Sequence, residues 1–147
     1  MGGGRNAYHP EPPEEVVRID EKQLHALIEH HHAVMMLVDP DSSVIVDANQ
    51  AASRFYGFEL RGKKIADISQ LPPEQIADKL QLAKVEGLKY FISSHKIADH
   101  ELRIVEIDAA PIRCADRTLL FSIVRDITEH KQCVEDLRTN VESLEEL

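Results

Sequence analysis

Histidine and cysteine are the side chains of this 147-residue chain with the most evident capacity for chemistry. The consecutive histidines His30, His31 and His32 could bind a metal ion, but neighbouring residues on a helix point about 100° apart and cannot converge on one ion. Cys114, expected in a loop, and Cys133, expected in a C-terminal helix, form no CxxC or metal pattern. No Gly-x-Ser-x-Gly elbow or paired general acid and base stands out. We therefore predict no metal site, no catalytic residue and reduced cysteines.

A strand that continues directly into a helix is predicted near the end of the chain. Residues 119–124 are apolar except for Ser122, which is typical of a central strand covered on both faces. Asp126 and Glu129 then have the spacing of a capping box, in which the aspartate accepts from the Glu129 amide and Glu129 reaches back to the cap. We therefore expect Asp126, Thr128 and Glu129 to form a junction at which the helix begins without a loop.

The helix beyond this junction has the apolar spacing of a coiled coil. Its apolar side chains are separated by seven, three, four and three residues, the a and d pattern of a dimer seam. They are Ile127, Val134, Leu137, Val141 and Leu144. Residues 129–147 are therefore predicted to begin a coiled coil in which Val134, Leu137, Val141 and Leu144 form a homodimer interface. Leu24, Leu27 and Ile28, on one apolar edge of an N-terminal helix, are predicted to belong to the same interface.

Composition and charge exclude several classes of function. A hydrophobic content of 43% suits one globular domain with extensions, and no apolar run approaches the roughly 18 residues that a membrane span requires. A net charge of −9 argues against nucleic acid as a partner. The start of the chain has no apolar core of a secretion signal. We therefore expect a cytoplasmic protein that does not insert into a membrane.

The order of the predicted elements defines an α+β fold. Residues 1–19 are rich in Gly, Pro and Glu and are interpreted as a flexible leader. The elements that follow are a flanking helix (20–32), a hairpin (33–39 and 44–48), a two-turn helix (50–56), brief turns (58–71), a helix (73–87), two long strands (90–97 and 102–112), the strand at 119–124 and the terminal helix. This order predicts a five-stranded antiparallel sheet, with the short helices inserted between its second and third strands.

Apolar side chains on the central helices and the sheet could enclose a cavity for a small apolar or amphipathic ligand. The candidates are Phe55, Ile65, Ile68, Leu71, Ile76, Leu80, Phe91 and Ile107. The same side chains could instead form a solid core, because a domain of this size needs most of them for packing. Both alternatives stay open. Arg61, Lys63 and Lys64 could meet an anionic ligand, although a solvated surface turn is the preferred interpretation.

A set of short motifs extends in order from about residue 24 to residue 131. The motifs are Val46-Asp-Ala-Asn-Gln-Ala-Ala52, Phe55-Tyr-Gly57, Leu60-x-Gly-Lys63, His95, Ala98-Asp99, Arg103-x-Val-Glu-Ile107 and Asp126-Ile-Thr128. Each is weak alone, but in this order and spacing they resemble the PAS sensory domain family. The resemblance implies a PAS domain at 33–128, with a pocket on one face of its sheet. The chain departs from the family at His100, where the turn usually has a glycine that tolerates positive φ.

The resemblance also bears on cofactors. A haem would need an axial histidine from the helix at 73–87, which contains none, so His95 on the next strand is the remaining candidate. A photoactive flavin site resembles Asn-Cys-Arg-Phe-Leu, and this chain reads Ala-Ala-Ser-Arg-Phe-Tyr there, without the reactive cysteine. Val124 stands where such sites have a flavin-facing glutamine, so Ser122 and Val124 should face the pocket. We expect neither haem nor flavin, and the cofactor stays unidentified.

The function implied by the resemblance is a sensory and dimerisation module rather than an enzyme. Such modules usually lie upstream of a histidine kinase of a two-component system, a diguanylate cyclase or another PAS unit, to which the junction at 126–128 transmits. The expected partners are a second copy of the chain, a downstream output domain and, if the pocket is open, a small ligand. A haem- or flavin-binding sensor of redox state, gas or light and a passive dimerisation scaffold stay open as alternatives.

Overall fold

An antiparallel sheet is the frame of the protein. The computed structural model describes residues 18–145, and among them the side chains of 19–141. The strands are β1 (Arg18–Ile19), β2 (Val34–Val38), β3 (Ile45–Ala48), β4 (Lys89–Lys96), β5 (Leu102–Cys114) and β6 (Arg117–Asp126). The helices are α1 (Glu21–Ile28), α2 (Gln50–Tyr56), α3 (Pro73–Glu86) and α4 (Thr128–Glu145). The predicted leader lies outside the described residues except for its last two, which form β1.

Five strands pair antiparallel in the order β3-β2-β6-β5-β4, which confirms the predicted α+β sheet with helices inserted between its second and third long strands. The two-residue strand β1 adds a parallel pair at the far end of β5. β6 lies between β2 and β5, as its apolar sequence predicted. Its side chains alternate between the two faces of the sheet, so both faces are covered by protein.

Two separate apolar cores lie on the two faces of the sheet. The inner core joins the sheet to α2 and α3 and contains the fully buried Tyr56. The outer core is smaller and is closed by α1, whose Leu24 and Ile28 pack against Met35 and Leu119. Cys114 also belongs to the outer core. Its predicted loop position is wrong, because β5 continues to this residue and its side chain is fully buried.

The buried side chain of Asn49 fixes the connections around the hairpin of β2 and β3. Its oxygen accepts from the amide of Ala52 at 3.0 Å, which caps α2 as predicted. Its amide group donates to the carbonyls of Ile28 at 3.0 Å and Ala33 at 2.8 Å. α1 ends at Ile28 and not at residue 32 as predicted, and the Ile28 carbonyl also accepts from the amide of His31 at 3.1 Å. α2 ends at Gly57 with φ of 84°, as predicted.

Left-handed backbone closes the connection between β4 and β5. Asp99 and His100 have φ of 66° and 63°, so histidine takes the conformation for which the family usually has glycine. The turn packs closely on the end of α2, because a Cβ on Gly57 would lie 2.6 Å from the Cβ of Ala98. Within residues 18–145, no helix is long and apolar enough to cross a membrane.

Candidate functional site

A cavity of about 60 Å³ lies between the inner face of the sheet and α3. Eight of the ten predicted pocket residues line it: Ile65, Leu71, Ile76, Leu80, Phe91, Ile107, Ser122 and Val124. The other two predictions are wrong as positions on the cavity wall. Ile68 is buried in the surrounding core, and Phe55 packs on Tyr56 with the ring centroids 4.9 Å apart. Whether the lining residues bind a ligand stays a prediction.

One end of the cavity is polar, and its residues come from β4 and the segment before α3. His95 is buried and its Nδ1 lies 2.7 Å from the hydroxyl of Tyr56. The hydroxyls of Ser69 and Ser93 lie 3.2 Å apart, and Ser69 also accepts from the amide of Leu71. Sequence reasoning did not identify Ser69 or Ser93. The alternation of β4, which directs Phe91, Ser93 and His95 to one face, could have identified Ser93.

His95 and Tyr56 are both uncharged near neutral pH. Burial lowers the pKa of His95 from its ordinary value of 6.5 to about 4. Burial, together with the charge of Asp126, raises the pKa of Tyr56 well above its usual range. The pair is therefore a neutral hydrogen bond inside the core, and it links α2 to β4.

The lining of the cavity includes one side chain that is charged at neutral pH, Lys79. The ammonium group of Lys79 on α3 lies 5.3 Å from the centre of the Phe91 ring. This distance is within the range of a cation–π interaction. Lys79 was not among the predicted pocket residues, although its spacing of three residues from Ile76 and four from Ala83 places it on the apolar side of α3.

The size of the cavity does not match haem or flavin. Sites for drug-sized ligands have volumes of roughly 300–1,000 Å³, whereas this cavity has about 60 Å³. The residues present do not fit either cofactor without rearrangement of the cavity wall.

The junction between β6 and α4 is held by one carboxylate. Asp126 Oδ2 accepts from Nε of Arg103 at 2.9 Å and from Nη2 at 2.6 Å. Asp126 Oδ1 accepts from the amide of Thr128 at 3.0 Å and from its hydroxyl at 2.6 Å. The Thr128 hydroxyl oxygen in turn accepts from the amide of Ile104 on β5 at 2.7 Å. We call Arg103, Asp126 and Thr128 the junction cluster.

The prediction that Asp126 forms a capping box with Glu129 is wrong. Asp126 bonds to Thr128 instead of Glu129, because β5 fixes the threonine hydroxyl directly beside the carboxylate. The absence of a loop is confirmed, since Ile127 alone separates β6 from α4. Partial burial acts to raise the pKa of Asp126, but the hydrogen bonds from Thr128 and Arg103 outweigh it and keep the pKa below its ordinary value.

The residues predicted for the dimer interface fall into two groups. Leu24 and Ile28 are buried within the protomer against the outer face of the sheet, so they offer little surface to a partner, and their assignment to the interface stays a prediction. Leu27 is 69% exposed, and on α4 the exposed fractions of Val134, Leu137 and Val141 are 41%, 64% and 50%. The side chain of Leu144 lies outside the described part. These four exposed side chains are available to a partner, and their role stays a prediction.

The remaining candidates lie at the surface. Arg61 Nε donates to Asp47 Oδ1 at 2.9 Å, and His25 Nδ1 lies 2.9 Å from Asp47 Oδ2. Lys63 has its ammonium group 5.3 Å from the Phe58 ring. Among the described residues, no group of three or more His, Cys, Asp or Glu side chains could hold a metal ion.

This chain belongs to the PAS domain family, whose model matches residues 32–129. The resemblance seen in the sequence motifs is thereby confirmed. Among curated proteins, the diguanylate cyclase DgcM of Escherichia coli (strain K12) is 36% identical over 110 residues, which cover 71% of this chain and 27% of that protein. The chain thus spans about a quarter of the length of the curated relatives that it matches.

Solved structures show the same fold at lower identity. The PAS domain of an HTR-like protein from Haloarcula marismortui has a TM-score of 0.65 and 21% identity, with 72% of this chain and 90% of that chain covered. A LOV protein from Rhodobacter sphaeroides has a TM-score of 0.61 and 16% identity, with 74% and 69% covered. At these identities the likeness concerns the fold.

Proposed function

We propose that this PAS domain senses the state of its internal cavity and passes that state through β6 and the junction cluster into α4. One observation carries the proposal. Ser122 and Val124 of β6 form part of the cavity wall, and the same strand ends two residues later at Asp126, which binds the first residue of α4. A change in the cavity therefore has a short covalent and hydrogen-bonded route to the helix.

The junction cluster is suited to a relay because it is bound to more than one element. Arg103 lies on β5, Asp126 ends β6 and Thr128 begins α4. A shift of β6 relative to β5 would change the contacts between Arg103 and Asp126, and it would move the first turn of α4 with them. Coupling of this kind requires a physically connected set of groups with two arrangements.

The second part of the proposal is that α4 continues as a dimeric coiled coil towards an output domain. The exposed Val134, Leu137 and Val141 have the spacing of a seam. The relative DgcM is a diguanylate cyclase in which the matching segment makes up about a quarter of the protein. An output domain of the diguanylate cyclase type is therefore the favoured partner, with a histidine kinase as the second choice.

A chimera tests the relay. This chain would replace the matching 110-residue segment of DgcM, and the diguanylate cyclase activity of the chimera would be measured. Ser122→Leu, which fills part of the cavity, should change the activity by about threefold or more. The same substitution should have no effect when Asp126→Ala is also present, because the route from the cavity to α4 is then broken.

The control is Asp78→Ala, which alters an exposed carboxylate on α3 and should leave the response to Ser122→Leu intact. Circular dichroism must show that each variant is folded, since loss of the Asp126 cap costs only about 1 kcal/mol. An unchanged activity in Ser122→Leu would support a passive scaffold and reject the relay. An equal effect of Ser122→Leu with and without Asp126 would reject the junction cluster as its route.

A further inference from the structure

His95 has one ring nitrogen bound within the protein and one that meets the cavity. Its Nδ1 is paired with Tyr56. Among the described residues, every fully buried side-chain nitrogen and oxygen has a hydrogen-bond partner. Nε2 of His95 has no such partner within this part of the chain, so it must touch open space, and His95 lines the cavity. Nε2 is therefore a polar atom that the cavity wall offers to a ligand, together with the hydroxyl of Ser122, which likewise has no partner among the described residues.

The direction of the hydrogen bond between Tyr56 and His95 determines which nitrogen carries the proton. A phenol always has a hydrogen to donate, and Tyr56 is fully buried and outside the cavity wall. Its hydroxyl lies beside Nδ1 of His95, so it donates to that nitrogen. A neutral imidazole with an accepting Nδ1 carries its proton on Nε2. The cavity thus receives an N–H donor.

The side chains at the polar end of the cavity can form hydrogen bonds, but they are uncharged. His95 is neutral because burial lowers its pKa, and the hydroxyls of Ser69 and Ser93 bond to each other. The ammonium group of Lys79 is held at Phe91, four residues from His95, which is about 13 Å along a strand. An ionised ligand group beside His95 would therefore be buried without a counter-charge, which is strongly unfavourable.

From this arrangement we propose that the cavity binds a small uncharged carbonyl compound, whose oxygen accepts the Nε2–H of His95. The hydrocarbon part of the ligand lies against the apolar wall formed by Leu80, Ile107 and Val124. The volume of about 60 Å³ corresponds to roughly four to six water molecules, at about 10–15 Å³ for each, so the ligand has few heavy atoms. The inference rests on the proposed sensory site, but it concerns binding alone.

A matched pair of probes tests the proposal in the unmodified 147-residue chain. Cyclopentanone has the required acceptor, and methylenecyclopentane has the same shape without it. In a titration followed by amide chemical shifts, cyclopentanone should bind about threefold to tenfold more tightly, the usual range for one neutral hydrogen bond. Long-range proton–nitrogen spectra should show the proton of His95 on Nε2, and the Nε2 signal should shift with cyclopentanone.

A double variant removes the donor without leaving an unpaired polar group. The double variant combines Tyr56→Phe with His95→Leu, so both hydrogen-bond partners become apolar. Replacing both partners costs less stability than replacing one, because no buried polar group is left unpaired. The preference for cyclopentanone should then be lost, and methylenecyclopentane should bind more tightly, because the ketone oxygen is buried without a donor. Phe55→Leu serves as the control, because Phe55 lies near Tyr56 but not on the cavity wall, and the preference for the ketone should persist.

Each of the following results would overturn the proposal. Equal or tighter binding of methylenecyclopentane to the unmodified chain would contradict the preference for a carbonyl acceptor. Tighter binding of cyclopentanecarboxylate would show that a charged head group is preferred. A proton on Nδ1 would remove the donor, and absence of any shift at millimolar concentrations would show that the cavity is closed. The chimera with DgcM measures the relay separately, so failure of the relay would leave these binding results unaffected.

Discussion

Asp126 and His95 are single polar side chains that connect separate elements of the domain. Asp126 joins β5, β6 and α4 through one carboxylate, and His95 joins β4 to α2 through Tyr56. Both side chains have shifted pKa values, for different reasons. Hydrogen bonds favour the charged form of Asp126, whereas burial favours the neutral form of His95.

Burial of neutral His95 predicts a loss of stability in mild acid. The pKa of His95 is about 4 in the folded protein, against an ordinary value of 6.5. Between these values the unfolded chain binds a proton that the folded chain does not, so stability falls as the pH is lowered through this window. The expected contribution is on the order of 3 kcal/mol. Urea denaturation at about pH 7 and about pH 4 would measure it.

The Tyr56→Phe and His95→Leu double variant separates this effect from that of the carboxylates. Asp126 and the other acidic groups with lowered pKa values lose stability in acid in both proteins. The double variant should therefore lose less stability than the parent chain over the same pH range. An identical loss in both proteins would mean that His95 is protonated in the folded state.

The sequence predicted several of these residues but not all of their partners. Ser122 and Val124 follow from the strand period and the family pattern, since every second residue of β6 faces the same way. The partner of Asp126 could not be predicted, because Thr128 is placed by a hydrogen bond from Ile104, distant in sequence. The position of Ser69 on the cavity wall could not be predicted either, because this residue lies in a segment without regular periodicity.

α1 covers the outer face of the sheet with two of its three large apolar side chains. Leu24 and Ile28 are buried there, whereas Leu27 is exposed. Leu24→Ala or Ile28→Ala should each reduce the free energy of unfolding by about 2–5 kcal/mol, the usual cost of truncating a buried leucine or isoleucine. Leu27→Ala should change it by less than about 0.5 kcal/mol. Urea denaturation of the three variants would test the difference.

A result in which Leu27→Ala is as damaging as Leu24→Ala would return α1 to the dimer interface as a whole. The sequence spacing of Leu24, Leu27 and Ile28 does not distinguish packing on the chain's own sheet from packing on a dimer partner. Positions separated by three and four residues share a broad helix edge, and that edge can be covered by the chain's own sheet or by a partner. The distinction requires the tertiary packing. The structure shows that Leu24 and Ile28 pack on the chain's own sheet, whereas Leu27 is exposed.

For the molecule as a whole, the exposed seam of α4 predicts the oligomeric state. The parent chain should sediment as a dimer at tens of micromolar concentration. Leu137→Asp places a charge at the centre of the seam and should raise the dissociation constant by about tenfold or more. Analytical ultracentrifugation of both proteins over a range of concentrations would measure this change.

Val85→Asp is the matched control for the seam. Val85 lies on α3 and is also largely exposed, so the substitution introduces the same charge elsewhere on a protein whose net charge is already −9. It should leave the dimer unchanged. A monomeric parent chain at these concentrations would contradict the coiled-coil assignment, and equal effects of the two substitutions would show that net charge, not the seam, governs association.

The two faces of β6 have different surroundings, the cavity on one side and the outer core on the other. Its Ser122 and Val124 border the cavity, while the intervening Ile123 and the preceding Phe121 lie on the outer face. A ligand inside and a partner outside would act on the same strand from opposite sides. By thermodynamic reciprocity, any factor by which the ligand changes the affinity for the partner is the factor by which the partner changes the affinity for the ligand. The domain can therefore be tuned to a signal by substitutions that never touch the molecule it detects.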